Sequence, residues 1–321
     1  MSSTGALIHV VAGILRDTHG RVLLAQRPHG SHLAGLWEFP GGKIEAGESA
    51  EAALRRELHE ELAVDIGATE PLISVPWESP GKSIVLHALH VREYHGEPHG
   101  QQQQQLRWTR PDELADVPMP PPDRPIVTAL RLPSRYAITP EPDRSDAEFL
   151  AALDRVIARG ARLIQLRAKE VAPARLRELA LAAQRQARAA GATLLLNGNL
   201  ELARELGLDG VHLPAAALLA LRARPLGQNR WVAASCHDAR ELAHAAAIGV
   251  DFAVLGPVLS TPSHPNVKPL GWERFAELCA AAPFPVFALG GMSAEHVAAA
   301  KAAGAQGIAG ISAFWSGVSG E

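Results

Sequence analysis

The chain has 321 residues, 47% of them apolar, and a formal net charge of −3. This length allows two domains with sizeable cores, and the small net charge excludes the strong field that attracts nucleic acid or anionic lipid. The two cysteines, Cys236 and Cys279, lie far apart in the sequence, which excludes a disulfide framework and fits a reducing compartment. We therefore expect a cytoplasmic protein without a stable nucleic-acid partner.

The first apolar run, ALIHVVAGIL, has no basic segment before it and ends at Arg16 and Asp17. It lacks the features of a signal peptide and is too short to span a bilayer, so we expect a buried strand and no membrane association. A polar turn, RDTHGR, separates this run from a second one, RVLLAQR. The pattern predicts a β-hairpin near the start of the chain.

The chain is expected to form two domains that differ in their pattern of strands and helices. Residues 1–133 combine strand patterns with one strongly helical segment, which is typical of an α+β domain. A joint rich in proline, serine and charge, PSRYAITPEPDRSD, follows, and residues 134–321 then contain eight short apolar runs with alanine-rich helical patterns between most of them. This alternation predicts a (β/α)8 TIM barrel, with a doubly wound open sheet as the alternative.

One helix of the first domain concentrates carboxylates directly after a Gly-Gly turn. In EFPGGKIEAGESAEAALRRELHEELAV, the residues Glu57, Glu60 and Glu61 lie within one helical turn and converge on one face. Like charges so close destabilise a helix, so a bound cation is expected to compensate them. Carboxylates that also meet substrate phosphates favour Mg²⁺, with Mn²⁺ as a second choice, and a solvated acidic face is the alternative.

The same stretch resembles the Nudix box, G-x5-E-x7-R-E-U-x-E-E-x-G-U, in which U is aliphatic. The matching residues are Gly42, Glu48, Arg56, Glu57, Leu58, Glu60, Glu61 and Val64. Ala63 departs from the pattern, because the family has glycine at this position at the end of the helix.

The resemblance implies a metal-dependent hydrolase of nucleoside diphosphate linkages. Glu57, Glu60 and Glu61 would hold Mg²⁺ with help from the Gly41 carbonyl, and Glu57 would act as base on a water molecule. Glu48 would pair with the arginine of the box, Arg56, and this pair would organise the loop.

The segment LLAQRPHGSHLAGLWEFPGGKIEAGE further resembles the MutT branch, whose members remove oxidised guanine nucleotides and so serve DNA repair. This resemblance implies a nucleoside triphosphate substrate, 8-oxo-dGTP, in a pocket lined by Arg27, His32 and Phe39. The position that reads the purine edge, usually Asn, is Asp123 here, and ionised Asp only accepts hydrogen bonds. Gln102 stands where the branch has a further metal-site glutamate. Hydrolysis of a thiamine-pathway diphosphate is the alternative.

In the second domain, LIQLRAKE places Gln165, Arg167 and Lys169 at every second position. On a strand these side chains share a face, so they are expected to line the barrel mouth and suit a phosphorylated ligand. The segments ALGGM and GIAGIS, which contain Gly291 and Ser312, lie after the last two predicted strands. Loops at this place commonly form a phosphate cradle in such barrels.

From Tyr136 to Phe314 the chain resembles thiamine phosphate synthase and its relative TenI, a thiazole tautomerase. The shared motifs are QLRAK, LLNGN, DGVHLP, SCHDAREL, VLGPVLSTPSH, KPLGWERF and ALGGM. The synthase has a Mg²⁺-binding Asp after the position of Asn197, whereas this chain has Gly198, and no acidic residue follows GVHL closely. The T-x-T-K diphosphate loop of the synthase lacks its lysine here and reads Thr261, Ser263, His264.

These departures make the resemblance closer to TenI, which needs no metal and uses a histidine that aligns with His237 for proton transfer. A thiazole or thiamine phosphate is the expected ligand. A non-catalytic barrel that only binds such a phosphate is the alternative, and the sequence is compatible with a homo-oligomer.

Overall fold

The computed structural model describes residues 7–28, 30–261 and 266–316. Contacts divide the chain into two compact units, Met1–Arg131 and Leu132–Glu321. Within the described ranges, no helix has both the length and the apolar composition needed to cross a membrane.

The described part of the first unit mixes short strands with a few helices. Its strands are β1 (Ile8–Ile14), β2 (Val22–Gln26), β3 (Trp37–Glu38), β4 (Asp65–Ile66), β5 (Thr69–Ser79), β6 (Lys82–Val91), β7 (Tyr94–His95) and β8 (Leu106–Thr109). Its helices are α1 (Ala50–Leu62), α2 (Arg124–Arg131) and two 3₁₀ turns, Leu114–Asp116 and Pro121–Asp123.

These strands form three small sheets, in the orders β1-β6-β5, β3-β2-β8 and β4-β7. Strand β1 runs parallel to β6, whereas β2 pairs antiparallel with β3 and β8. The predicted hairpin between the first two apolar runs is confirmed next to its turn, where Asp17 N donates to Arg21 O at 3.0 Å, Arg16 pairs antiparallel with Val22 and Leu23 N donates to Leu15 O at 3.1 Å. Farther from the turn the prediction is wrong. The two strands separate because each pairs with a distant strand that buries its apolar face.

Helix α1 packs against the sheet through one apolar stripe. Leu54, Leu58 and Leu62 recur every four residues and are fully buried. Ser49 caps the start of the helix, since its side chain accepts a hydrogen bond from Ala52 N at 3.2 Å. The helix ends at Ala63, whose φ of 57° lies in the left-handed region that favours glycine. The acidic face neighbours this stripe, so Glu57 and Glu61 are half-buried beside the core and Glu60 is exposed.

The second unit alternates strands and helices. Its strands are β9 (Arg135–Ile138), β10 (Leu163–Leu166), β11 (Thr193–Asn197), β12 (Gly210–Leu213), β13 (Trp231–Cys236), β14 (Phe252–Leu255), β15 (Val286–Leu289) and β16 (Gly307–Gly310). Its helices are α3 (Asp146–Ala158), α4 (Pro173–Ala189), α5 (Leu200–Glu205), α6 (Ala215–Ala220), α7 (Ala239–Ile248), α8 (Gly271–Ala281), α9 (Val297–Ala302) and α10 (Ser312–Trp315).

The eight parallel strands close into a barrel, because β16 pairs with β9. Closure confirms the predicted (β/α)8 architecture and excludes the open sheet. Inward-facing residues such as Tyr136, Phe252 and Phe287 fill the barrel, and the outward faces pack against the helices. The carboxyl ends of the strands therefore meet at one mouth, as in other barrels of this type.

Candidate functional site

Arg56 is the centre of the carboxylate cluster on α1. Its Nε and Nη2 donate to the two oxygens of Glu48 at 3.1 and 3.0 Å. Its Nη1 donates to Glu57 Oε1 at 2.8 Å and lies 3.6 Å from Glu60 Oε2. Nη2 also donates to Lys43 O at 3.0 Å. One guanidinium thus ties the helix to the preceding loop, and its hydrogen bonds lower the pKa of Glu48.

The loop facing this cluster requires glycine at Gly41, where a side chain would meet backbone atoms, and at Gly42 a side chain would displace the Glu57 carboxylate. A Cβ atom on Gly42 would lie 2.2 Å from Glu57 Cδ, and one on Gly41 would lie 2.1 Å from Val11 O. The backbone N of Gly41 donates to Glu61 Oε2 at 3.3 Å. The Gly-Gly turn therefore lets the backbone approach the helix closely, and two glutamates lie directly against it.

The donor chemistry of this cluster fits a hard divalent cation. Burial, followed by the charge of Glu57, raises the pKa of Glu61 to about 7. Glu48, Glu57 and Glu60 share the single guanidinium of Arg56, so carboxylates outnumber cations in the cluster. Across residues 7–28, 30–261 and 266–316, no three His, Cys, Asp or Glu side chains already converge as a metal-binding group. Arg56 explains this, since it holds Glu57 and Glu60 on its own guanidinium.

A second cluster in the first unit surrounds Arg27. Its Nη1 pairs with Glu38 Oε2, and its Nε donates to His32 O at 2.7 Å. Arg27 is half-buried, whereas the His32 side chain is exposed. The structure thus brings Arg27 and the His32 backbone together, and Glu38, which the sequence analysis did not single out, neutralises the arginine.

Asp123 lies close to this cluster and is 6% exposed. Its Oδ1 accepts a hydrogen bond from Phe39 N at 3.4 Å. Burial, followed by the charge of Glu38, raises the pKa of Asp123 to about 7. The Phe39 side chain is buried in the core of the unit. A carboxyl with this pKa is partly neutral near pH 7, so it both donates and accepts hydrogen bonds.

At the barrel mouth, the predicted row Gln165, Arg167 and Lys169 does not lie on one strand. Strand β10 ends at Leu166, so only Gln165 has a strand position, where it is 3% exposed. Arg167 follows the strand and its Nη1 donates to Glu141 Oε2 at 3.1 Å, while Lys169 is exposed. The shared-face prediction is wrong for the last two residues because the chain leaves the sheet before them.

A row of hydrogen-bonded polar side chains, which the sequence analysis missed, crosses the barrel interior. Tyr136 Oη and His212 Nδ1 are 3.1 Å apart, and His212 Nε2 and Ser235 Oγ are 2.8 Å apart. Gln165 also bonds to the Tyr136 hydroxyl. Burial lowers the pKa of His212 to about 3, so its ring is neutral. Strand alternation in GVHL was the signal that places this histidine inside.

His237 stands just after β13 and is paired with Glu241 on α7. Its Nδ1 lies 2.9 Å from Glu241 Oε2, and its backbone N donates to the same oxygen at 2.7 Å. The side chain of His237 is 56% exposed, whereas that of Glu241 is 15% exposed. The carboxylate favours the tautomer with a proton on Nδ1, which leaves Nε2 as an acceptor facing solvent.

The remaining candidate ligands of the barrel lie on its loops. Asn197 ends β11 half-buried, and Thr261 is also half-buried. Gly291 has a φ of 67°, and a Cβ there would lie 2.7 Å from Ser260 O, so glycine is required. Ser312 begins α10 and is exposed. Ser263 lies outside the described residues.

Each half of the chain matches a different known protein family. A family model described as a NUDIX domain matches residues 11–129, and one described as thiamine monophosphate synthase matches residues 135–314. The first half is 45% identical over 123 residues to a CTP pyrophosphohydrolase of Escherichia coli, covering 38% of this chain and 90% of the relative.

Two other relatives match this chain over most of their own length. An 8-oxo-dGTP diphosphatase of Proteus vulgaris is 43% identical over 90 residues, which are 28% of this chain and 80% of the relative. A thiamine-phosphate synthase of Chromobacterium violaceum is 36% identical over 181 residues, which are 56% of this chain and 86% of the relative.

Proposed function

Because the chain belongs to the Nudix family over residues 11–129 and to the thiamine monophosphate synthase family over residues 135–314, we propose that it joins two activities. The first is a nucleoside triphosphate pyrophosphohydrolase, which releases a nucleoside monophosphate and pyrophosphate. The observation that carries it is the Arg56 guanidinium, which holds Glu48 and Glu57 beside the Gly-Gly turn. The second is TenI-like proton transfer in the barrel.

In the hydrolase, Glu57, Glu60 and Glu61 are the side chains that would hold Mg²⁺, together with the Gly41 carbonyl, and Mn²⁺ is an alternative ion. A bound divalent cation neutralises phosphate charge and lowers the pKa of water. Glu57 accepts the proton of the attacking water as a general base. Arg56 keeps Glu57 on the side of the loop, where the phosphates would lie.

The nucleotide base is assigned to the pocket of Arg27, His32, Phe39 and Asp123. A neutral Asp123 donates and accepts hydrogen bonds, as the asparagine of the MutT branch does. It can therefore donate to the purine edge, which an ionised carboxylate cannot do. This supports 8-oxo-dGTP as the substrate. The relative named as an 8-oxo-dGTP diphosphatase supports the same choice.

A second candidate substrate is CTP, because the relative named as a CTP pyrophosphohydrolase is 45% identical over 123 residues of this half. An ionised Asp123 accepts a hydrogen bond from the amino group of cytosine. With a pKa of about 7 for Asp123, the two protonation states are close in free energy, so one pocket is able to serve both bases.

The deciding experiment is pyrophosphate release by the full chain with Mg²⁺ and a panel of 8-oxo-dGTP, dGTP, CTP and thiamine-pathway diphosphates. A preference for 8-oxo-dGTP over dGTP supports nucleotide sanitising. A preference for CTP makes cytosine nucleotides the substrate class. A preference for a thiamine-pathway diphosphate overturns both and joins the two halves in one pathway.

In the barrel, His237 is proposed to move a proton on a thiazole phosphate, with its tautomer held by Glu241. The ligand would contact Lys169, Asn197, Thr261, Ser263, Gly291 and Ser312 at the mouth, since Gln165 and Arg167 already bond to Tyr136 and Glu141. Synthesis of thiamine phosphate from a diphosphate is less favoured, since Gly198 replaces a Mg²⁺-binding acid. A barrel that binds the phosphate without catalysis is the rival, and the His237 variant described below separates the two.

A further inference from the structure

Glu141, on the loop after β9, is held at both carboxylate oxygens. Its Oε2 accepts a hydrogen bond from Arg167 Nη1 at 3.1 Å. Its Oε1 accepts one from the backbone N of Glu170 at 2.7 Å. The two donors belong to the segment after β10, so the carboxylate joins two neighbouring loops at the barrel mouth.

A guanidinium and a backbone N–H directed at the same group form a donor set that suits a phosphate or carboxylate ligand. The donors around Glu141 therefore have the composition of an anion-binding position. An ordinary surface pair lacks the second donor, as Arg177 and Glu205 show with one hydrogen bond of 2.7 Å from guanidinium to carboxylate. Surface pairs of that kind contribute little to stability.

The position is rigid and reachable from solvent. Thr139 Oγ1 accepts from Arg167 N at 2.9 Å and donates to Arg167 O at 3.3 Å, which fixes the backbone of the arginine. The side chains of Arg167 and Glu141 are 30% and 24% exposed. A small anion is therefore able to reach these donors when the carboxylate is removed.

We propose that Glu141 is a specificity-determining residue, which fills an anion position formed by Arg167 and the Glu170 N–H with a carboxylate of the chain itself. A ligand with one phosphate, bound elsewhere at the mouth, is tolerated. A diphosphate would place further negative charge near Glu141, and the repulsion, together with the occupied donors, excludes it. The inference goes beyond the proposed tautomerase activity and holds whether or not the barrel is catalytic.

The test is binding of inorganic pyrophosphate to the full chain, measured by isothermal titration calorimetry in metal-free buffer. Glu141→Ala vacates the position, and we expect at least tenfold tighter binding than in the wild type. Glu205→Ala is the matched control, since it removes the same charge from an arginine pair without the backbone donor, and its affinity should stay within twofold. Adding Arg167→Ala to Glu141→Ala should abolish the gain.

Glu141→Gln serves as a second variant that keeps the side-chain volume, and it should also bind pyrophosphate several-fold more tightly than the wild type. The proposal is overturned if both Glu141 variants bind pyrophosphate as the wild type does. It is equally overturned if the gain persists without Arg167, because the anion would then bind elsewhere. Neither result bears on hydrolysis or on tautomerase activity.

Discussion

The carboxylate cluster on α1 and the mouth of the barrel each combine one arginine with acidic side chains, but with opposite consequences. Around Arg56, several carboxylates share one guanidinium, and the half-buried Glu61 has its pKa raised to about 7. At the mouth, the ion pair that Arg167 forms among the described residues is with Glu141. The first site has unbalanced negative charge, whereas the arginine of the second is already neutralised.

This difference indicates which polyphosphate chemistry each region suits. Excess carboxylate charge favours a divalent cation, and a cation is what a triphosphate substrate needs. The pairing of Arg167 with Glu141, together with Gly198 where the synthase resemblance implies a Mg²⁺-binding acid, supports our proposal that the barrel does not bind a diphosphate. We therefore expect the carboxylate cluster to bind a polyphosphate through a divalent cation and the barrel mouth to exclude one. The following experiments test that contrast.

The largest effect is expected from Glu57→Gln, which keeps the shape of the side chain and removes the proposed base. Hydrolysis should fall by about 10³-fold, within the range for loss of general base catalysis. Glu51→Gln, on an exposed turn of the same helix, is the control and should keep full activity. Pyrophosphate release measures both. Equal activity of the two variants would contradict the assignment of Glu57.

The second effect concerns the barrel alone. His237→Gln should lower thiazole tautomerisation by about 10²-fold, because proton transfer by a positioned side chain contributes that much or more. Binding of a thiazole phosphate, measured by calorimetry, should change little, and hydrolysis by the first unit should not change. If the wild-type barrel binds the phosphate but neither protein tautomerises it, the barrel is a binding module.

A third, smaller effect is a pH dependence of stability from Asp123. Its pKa is about 7 in the folded chain and 3.8 in the unfolded reference, so the folded chain binds the extra proton between these values. The contribution to stability is complete below about pH 4 and is lost as the pH rises through 7. Asp123→Asn stays neutral, so its unfolding free energy should fall less from pH 5 to 8, by roughly 2 to 3 kcal/mol.

Denaturant unfolding of Asp123→Asn and the wild type at several pH values measures this difference. Asp112→Asn is the control, because this exposed carboxyl has its pKa lowered by a hydrogen bond from Arg110. It should not flatten the profile between pH 5 and 8. Parallel profiles for Asp123→Asn and the wild type would show that Asp123 is ionised throughout.

The smallest effect is expected from Ala63→Gly at the end of α1. The left-handed conformation of Ala63 costs about 1 kcal/mol, which glycine avoids, so the variant should be more stable by that amount. Ala190→Gly, at the end of α4 with a φ of −101°, gains no such relief and should not be stabilised. Thermal unfolding measures both, and hydrolysis should not change in either.

The sequence predicted the elements whose patterns are local. Leu54, Leu58 and Leu62 recur at helical spacing, and their burial against the sheet follows from that spacing. The eight apolar runs of the second half became the eight strands of the barrel. The prediction of strand pairing failed where the partner strand lies far away in the chain. Strand β1, for example, pairs with β6 and not with β2.

The motif also determined which residues meet at the carboxylate cluster, because Glu48, Arg56 and Glu57 lie close together in the chain. By itself it did not show that Arg56 holds Glu57 and Glu60 as well as Glu48. Nor did it show the pairing of Glu141 with Arg167, which are separated by 26 positions. Ion pairs between loops have no periodic signal, since they depend on where the barrel brings the strand ends together.

The sequence alone therefore determined the two families, the order of the elements and the chemistry of the acidic helix, because these rest on short-range spacing and residue type. Only the tertiary structure decided the electrostatic state of each site. Burial raised the pKa of Asp123 and lowered that of His212, and barrel closure placed Glu141 against Arg167. Solvent exclusion and contacts between distant segments set these properties, and neither can be read from local sequence.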